Sequence, residues 1–336
     1  MKTIVISGAS SNVGKTTLAR ELSALLPGAV IVKIGHHPRN PVKHNVYYPR
    51  GTTFSEIALR HKQARTLIIE SNSVLGEMTP DCAIYLTGDS PKPSAVKAEE
   101  KADMIRGRRI GKAKIAGLAR RLGLGVRAMR KVAWLSGARP SSVTAVILAG
   151  GKSERMGADK ASLEINGVPL VRRLRVMLKP WFDRVLVSAP AGSKRKVGLE
   201  AVADRYAGCG PLAGIHACLS RSKTEMNFVI SCDVPEVNLP VIFKLFSLSE
   251  DNDIVAPSFR QGFREPLFAC YRKRVARVAR RRIEKGLFSV NGLLDECKAH
   301  VLPLSGESWY RNLNTPEDYR RFLSHSRGIK PKGASS

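Results

Sequence analysis

Short apolar runs alternate along this chain with stretches whose apolar residues recur at helical spacing. In the first half the runs are TIVIS (3–7), AVIVKI (29–34), TLIIE (66–70) and DCAIYLT (81–87), with helix-like patterns over 16–26 and 52–64. The second half repeats the arrangement with TAVIL (144–148), RVLVSA (184–189), NFVISCD (227–233) and DIVAPS (253–258). Continuous β-branched runs suit strands covered on both faces, and their alternation with helices predicts an α/β fold built on mostly parallel sheets. Such sheets gather their ligands at the carboxyl ends of the strands. TIVIS and TAVIL each run straight into a glycine-containing loop, so each reads as the first strand of its own three-layer, Rossmann-like domain. Between them SGARPSS (136–142) collects the Gly, Pro and Ser of a linker and sets the boundary near Arg139. The expected division is 1–138, 139–325 and a flexible tail over 326–336.

A length of 336 residues suits two such domains, and 43% hydrophobic with 25% charged residues excludes a disordered chain. The charge balance changes the picture more. Lys and Arg number 56 against 28 acidic residues, a net +28, which suits a polyanionic partner such as nucleotide phosphates or nucleic acid. Residues 101–131 carry +10 of it and 272–285 carry +7. No run approaches the roughly 18 apolar residues of a membrane span, and MKTIVISGAS leads into a glycine loop instead of a cleavage site, so a cytoplasmic protein without a membrane partner is expected. The six cysteines stand singly with no C-x-x-C pair, which argues against a zinc site or a disulfide framework.

ASSNVGKT (9–16) has the spacing of a phosphate loop, with Ala9 where a leading Gly is usual and Gly8 one place earlier. A strand precedes it and a helix follows, so the backbone amides of Ser11, Asn12, Val13 and Gly14 can cradle phosphates while Lys15 supplies a point charge. Thr16 is the candidate Mg²⁺ ligand, and Glu70, ending TLIIE, is the acidic residue near that metal. His36 and His37 follow the second strand. The basic segment 105–135 contains GLARRLGLGVRAMRKVAWLSG (117–137), in which Ala119, Gly123, Met129 and Val132 are spaced as in a helix-turn-helix. The same pattern fits a helical hairpin covering a sheet, and sequence-specific nucleic-acid binding is not expected.

The most specific stretch is LAGGKSERMGADK (148–160). A glycine-rich turn after a strand lets backbone amides approach a triphosphate, and Arg155 and Lys160 bring positive charge to its β- and γ-phosphates. This segment resembles the molybdenum cofactor guanylyltransferases, within the Rossmann-like nucleotidyltransferases, and the resemblance extends over roughly 143–323. It implies a nucleotide site of Leu148, Ala149, Gly150, Gly151, Lys160, Ser188, Asp204, Gly210, Pro211, Leu212 and Asp233. Asp204 and GCGPLAGI (208–215) resemble the family's base and ribose loop, and CDVP (232–235) places Asp233 as the Mg²⁺ carboxylate. REPLFACY (264–271) and NLNTPEDY (312–319) follow in the same order, with Asn312 and Asn314 as supporting residues. Ser188 stands where the family often has Asn. A strand-end carboxylate suits a hard cation on an α-phosphate, although Asp233 could alternatively cap a helix before Pro235.

The first half, through its phosphate loop, its Lys-x-x-His-His segment (33–37) and Glu70, resembles the GTP-binding accessory protein of molybdopterin guanine dinucleotide biosynthesis. Ser71 and Asn72 stand where that protein has a Gly after its Glu, which leaves hydrolysis open. Together the two resemblances imply transfer of GMP from GTP to molybdopterin with release of pyrophosphate, catalysed by Arg155, Lys160 and Asp233 with Mg²⁺. CTP transfer to molybdopterin, transfer to a sugar or alcohol phosphate, and a nucleotide-sensing DNA-binding regulator acting through 112–135 remain as alternatives. Homo-oligomerisation is left open.

Overall fold

The computed structural model describes residues 1–35, 45–89, 91, 93–149, 164–189, 200–259, 262–304, 310 and 312–326. It divides into two compact units, Met1–Ser141 and Ser142–Ser336. Arg139 is bridged to Arg109 and its N–H donates to Arg108 O, so the residues just after the second basic helix are built into the first unit and only 140–142 join the two.

The first unit runs β1 (Lys2–Gly8), α1 (Lys15–Leu25), β2 (Ala29–Ile34), β3 (Asn45–Tyr48), α2 (Phe54–Arg60), β4 (Thr66–Glu70), β5 (Cys82–Leu86), α3 (Pro93–Glu100), β6 (Met104–Ile105), α4 (Lys112–Leu122) and α5 (Val126–Ser136). Its six strands pair in the order β3-β2-β4-β1-β5-β6, all parallel. Side chains alternate across the pleat, so Ile4 and Ile6 enter one core with α1, α4 and α5, while Val5 enters another with Ile57 and Ala95 of α2 and α3. That two-sided burial makes the strands read as unbroken apolar runs. Gly123, at φ 67°, turns α4 into α5. Ala119, Met129 and Val132 of the helix-turn-helix spacing all pack into the sheet core, making the pair a hairpin over the sheet.

The second unit runs β7 (Val143–Leu148), β8 (Glu164–Ile165), β9 (Val168–Pro169), α6 (Leu170–Leu178), β10 (Arg184–Ala189), β11 (Glu200–Ala203), α7 (Gly210–Arg221), β12 (Met226–Ser231), α8 (Leu239–Leu248), β13 (Ile254–Ser258), β14 (Phe268–Arg272), α9 (Val275–Glu284), α10 (Asn291–Glu296), β15 (Ala299–Pro303) and α11 (Pro316–Ser326). Its main sheet has the order β11-β10-β7-β12-β14-β13-β15, with β11, β10, β7 and β12 parallel and β14 antiparallel to both its neighbours. One face packs Leu212, Ile215 and Leu219 of α7 and Ala279 of α9 on Val146 and Leu186. Elsewhere in this unit Phe182, Phe228, Phe246 and Phe268 form a chain of ring contacts 4.9–6.1 Å apart. Both units are thus three-layer, Rossmann-like α/β structures. Among the described residues no helix is long and apolar enough to cross a membrane.

Candidate functional site

In the first unit the parallel register brings Gly8, Glu70 and Leu86 to one edge, because Gly8 lies opposite Leu86 and Ile6 opposite Glu70. The chain leaves β1 at Gly8, where a Cβ would come within 2.6 Å of Val13 Cγ2 and 3.1 Å of Leu86 O. A larger residue there would have to displace the Val13 side chain. The loop closes at Gly14, whose φ of 90° is one that L side chains rarely adopt, and α1 starts at Lys15. Lys15 Nζ donates to Ser10 O at 2.6 Å, folding across the loop. Asn72 clasps Gly8 from β4's end, accepting from its N–H at 3.0 Å and donating to its C=O at 3.1 Å.

Thr16 and Glu70 meet at this edge. Thr16 Oγ1 donates to Glu70 Oε2 at 2.8 Å and Lys33 Nζ lies 3.8 Å from the same oxygen, while Glu70 is only 2% exposed. Its other oxygen, Oε1, is buried without a hydrogen-bond partner among the described residues. A buried carboxylate oxygen of this kind is costly unless something binds it, and with the Thr16 hydroxyl it forms a hard-oxygen pair of the type Mg²⁺ accepts. His36 and His37 lie outside the described residues.

In the second unit four strand ends converge. Leu148 lies opposite both Ser188 and Ser231, Ala149 N–H donates to Ser188 O, and Cys232 N–H donates to Leu148 O. Ser188 Oγ donates to Asp204 Oδ1 at 2.9 Å, joining two residues 16 apart in sequence. Burial raises the Asp204 carboxyl above its ordinary value, and the Ser188 hydrogen bond works against that rise. Gly208, before α7, and Gly210, its first residue, take φ of 77° and 59°, and Pro211 occupies its first turn. A Cβ on Gly214 would stand 2.4 Å from Ser188 Oγ, so α7 lies directly against the end of β10. The first turn of α7, which begins at Gly210, precedes that contact by four residues.

Asp233 lies just past β12, which ends at Ser231, and is half-buried. It does not cap a helix: α8 begins at Leu239, and Asn238 caps it by accepting from Val241 N–H at 3.2 Å. The Asp233 carbonyl instead accepts from Leu313 N–H at 2.8 Å, which holds the Asn312-Leu313-Asn314 segment beside it. Asn314 is exposed and its N–H donates to Asp318 Oδ2 at 3.3 Å.

Two further groups, Glu265 and Tyr310, stand here without a sequence motif that singles them out. Tyr310 Oη donates to Glu265 Oε2 at 3.1 Å, and its ring stacks on Phe259 at 4.0 Å. Burial raises its phenol strongly, the negative Glu265 and Asp233 raise it further, and an Asn312 hydrogen bond opposes them. Glu265 sits inside REPLFACY, a signal for the segment and not for this residue; Tyr310 precedes the Asn312 segment with no pattern of its own. Gly150, Gly151, Arg155 and Lys160 lie outside the described residues.

These strand ends set a carboxylate just past the central strand, and the chain's similarities make the unit that carries it a nucleotidyltransferase. Residues 145–298, within the second unit, match the family model for the MobA-like NTP transferase domain. A probable molybdenum cofactor guanylyltransferase of Carboxydothermus hydrogenoformans is 31% identical over 54% of this chain and 95% of its own length. The molybdenum cofactor guanylyltransferase of Vibrio parahaemolyticus is 31% identical over 55% of this chain and 96% of its own. The crystal structure of molybdopterin-guanine dinucleotide biosynthesis protein A from Archaeoglobus fulgidus aligns with a TM-score of 0.48 at 23% identity, over 55% of this chain and 100% of that one. The chain belongs to the molybdenum cofactor guanylyltransferase family.

Proposed function

We propose that the second unit transfers GMP from GTP to molybdopterin, and that the first is a fused accessory domain that binds GTP at its phosphate loop. The observation that carries the transfer reading is the Leu313–Asp233 hydrogen bond, which brings the two family asparagines to the strand end where the α-phosphate would be held. A phosphate oxygen of molybdopterin attacks the α-phosphorus of GTP, the bond to the bridging oxygen breaks, and its electron pair leaves with pyrophosphate. No covalent enzyme intermediate is needed. Asp233, a half-buried hard-oxygen donor, fits Mg²⁺, which would supply charge neutralisation at the α-phosphate. Arg155 and Lys160 offset charge on the departing pyrophosphate, Asp204, Ser188 and the Gly210–Leu212 loop take the base and ribose, and Asn312 and Asn314 support Asp233.

In the first unit Thr16 and Glu70 supply the Mg²⁺ oxygens and Lys15 the phosphate cation. The reading is of a cytoplasmic protein whose excess positive charge serves two polyanionic substrates. The test is to incubate the full chain with Mg²⁺, molybdopterin and each of the four NTPs in turn and to follow pyrophosphate. GTP should support the fastest release. Equal or faster release with CTP removes the guanine assignment and leaves the transferase class; no release with any NTP removes the proposal.

A further inference from the structure

Arg106 follows β6 at the carboxyl edge of the first sheet, its N–H donating to Tyr85 O at 3.0 Å. Its guanidinium crosses to the phosphate loop and donates from Nη1 to Val13 O at 2.9 Å, joining residues 93 apart in sequence. Nη2 lies 3.7 Å from the position a Cβ on Gly14 would take. Desolvation works against its charge, and among the described residues no carboxylate pairs with it. A half-buried cation is costly unless an anion or several acceptors meet it, and one carbonyl does not saturate five N–H donors.

The contact has a geometric consequence. Val13 C=O and Gly14 N–H belong to one planar trans peptide, so they point in opposite directions. Whatever holds the carbonyl toward Arg106 turns the amide away from it. We propose that Arg106 is a positioning residue of the phosphate loop: by anchoring Val13 C=O it presents the Gly14 amide to a nucleotide's phosphates, and its charge adds to that of Lys15. Preorganised amides bind an anion without first reorganising, which is where the affinity comes from. The inference rests on the reading of the first unit as a nucleotide-binding domain.

The test is calorimetric titration of GDP into the full chain with Mg²⁺, in wild type, Lys15→Ala, Arg106→Ala and Arg106→Lys. The component lost in Lys15→Ala is the phosphate-loop site. Arg106→Ala should weaken that component about ten-fold or more, and Arg106→Lys, which keeps a cationic donor, should recover most of the loss. A purely structural arginine would lower the melting temperature and leave the GDP component intact, and that result overturns the proposal. If Lys15→Ala changes nothing, the nucleotide reading of the first unit fails and the proposal falls with it. A second readout uses the wild-type protein alone: with glycine ¹⁵N-labelled, the Gly14 amide should move on GDP addition, and an unmoved Gly14 resonance contradicts its role.

Discussion

On the proposed reading, the two carboxyl edges of this protein bind nucleotide by different means. At the first, one continuous segment, 8–16, carries the loop, the lysine and the hydroxyl, and distant residues hold it: Asn72 clasps Gly8, Arg106 anchors Val13, and Glu70 meets Thr16. At the second, the described groups come from five separate places: Leu148, Ser188 with Asp204, the start of α7, Asp233, and Asn312 with Asn314. A phosphate needs only amides and a cation, which a short motif supplies. Joining two substrates in line needs groups on several sides, so a transferase site draws on a whole sheet edge.

That contrast can be broken experimentally. The largest effect is expected at Asp233→Asn, which should lower the rate of pyrophosphate release at least a hundred-fold, about 3 kcal/mol of lost transition-state stabilisation, while GDP binding at the phosphate loop is unchanged. A smaller effect is expected at Glu70→Gln, which removes the charge but not the shape: Mg²⁺-dependent GDP binding by the first unit should weaken on the order of ten-fold, with transfer unaffected. Gly8→Ala forces a Cβ against Val13 and Leu86 O, so thermal unfolding of the first unit should show a loss of about 1–3 kcal/mol. Adding Val13→Ala should restore part of it, because the nearer contact is a valine methyl.

The smallest effect is expected at Ser188→Ala, and it carries a sign. The Asp204 carboxyl is raised by desolvation, so its contribution to stability is present at pH below the ordinary aspartate range and is lost as pH rises through its raised value. Removing the Ser188 hydroxyl deletes the interaction that lowers it. Ser188→Ala should therefore destabilise by about 1 kcal/mol at neutral pH and by less in acid, measured by denaturant unfolding at both.

Much of the architecture was legible. The runs 29–34, 66–70 and 184–189 coincide with β2, β4 and β10, because strands buried on both faces leave uninterrupted apolar segments. Strand β14 has no run of its own in the apolar pattern, although Phe268–Tyr271 lie in the REPLFACY motif. It enters the sheet antiparallel, between strands that come earlier in the chain, and nothing local records that pairing. The run 227–233 predicts a strand ending in Asp233, yet β12 stops at Ser231, where Val234 N–H turns back to Ser231 O and frees Asp233 from the ladder. The side chains joined over long separations were least legible: Arg106 with Val13, 93 apart, and Tyr310 with Glu265, 45 apart, meet only because the sheets bring them together.

The central claim is that these are two separable nucleotide sites, one for transfer and one for binding. Pyrophosphate release from GTP and free molybdopterin by the folded, full-length Lys15→Ala variant tests it most directly. The account predicts release at the wild-type rate with the phosphate-loop GDP component absent. Loss of release in that variant would contradict the account and make both loops parts of one composite mechanism.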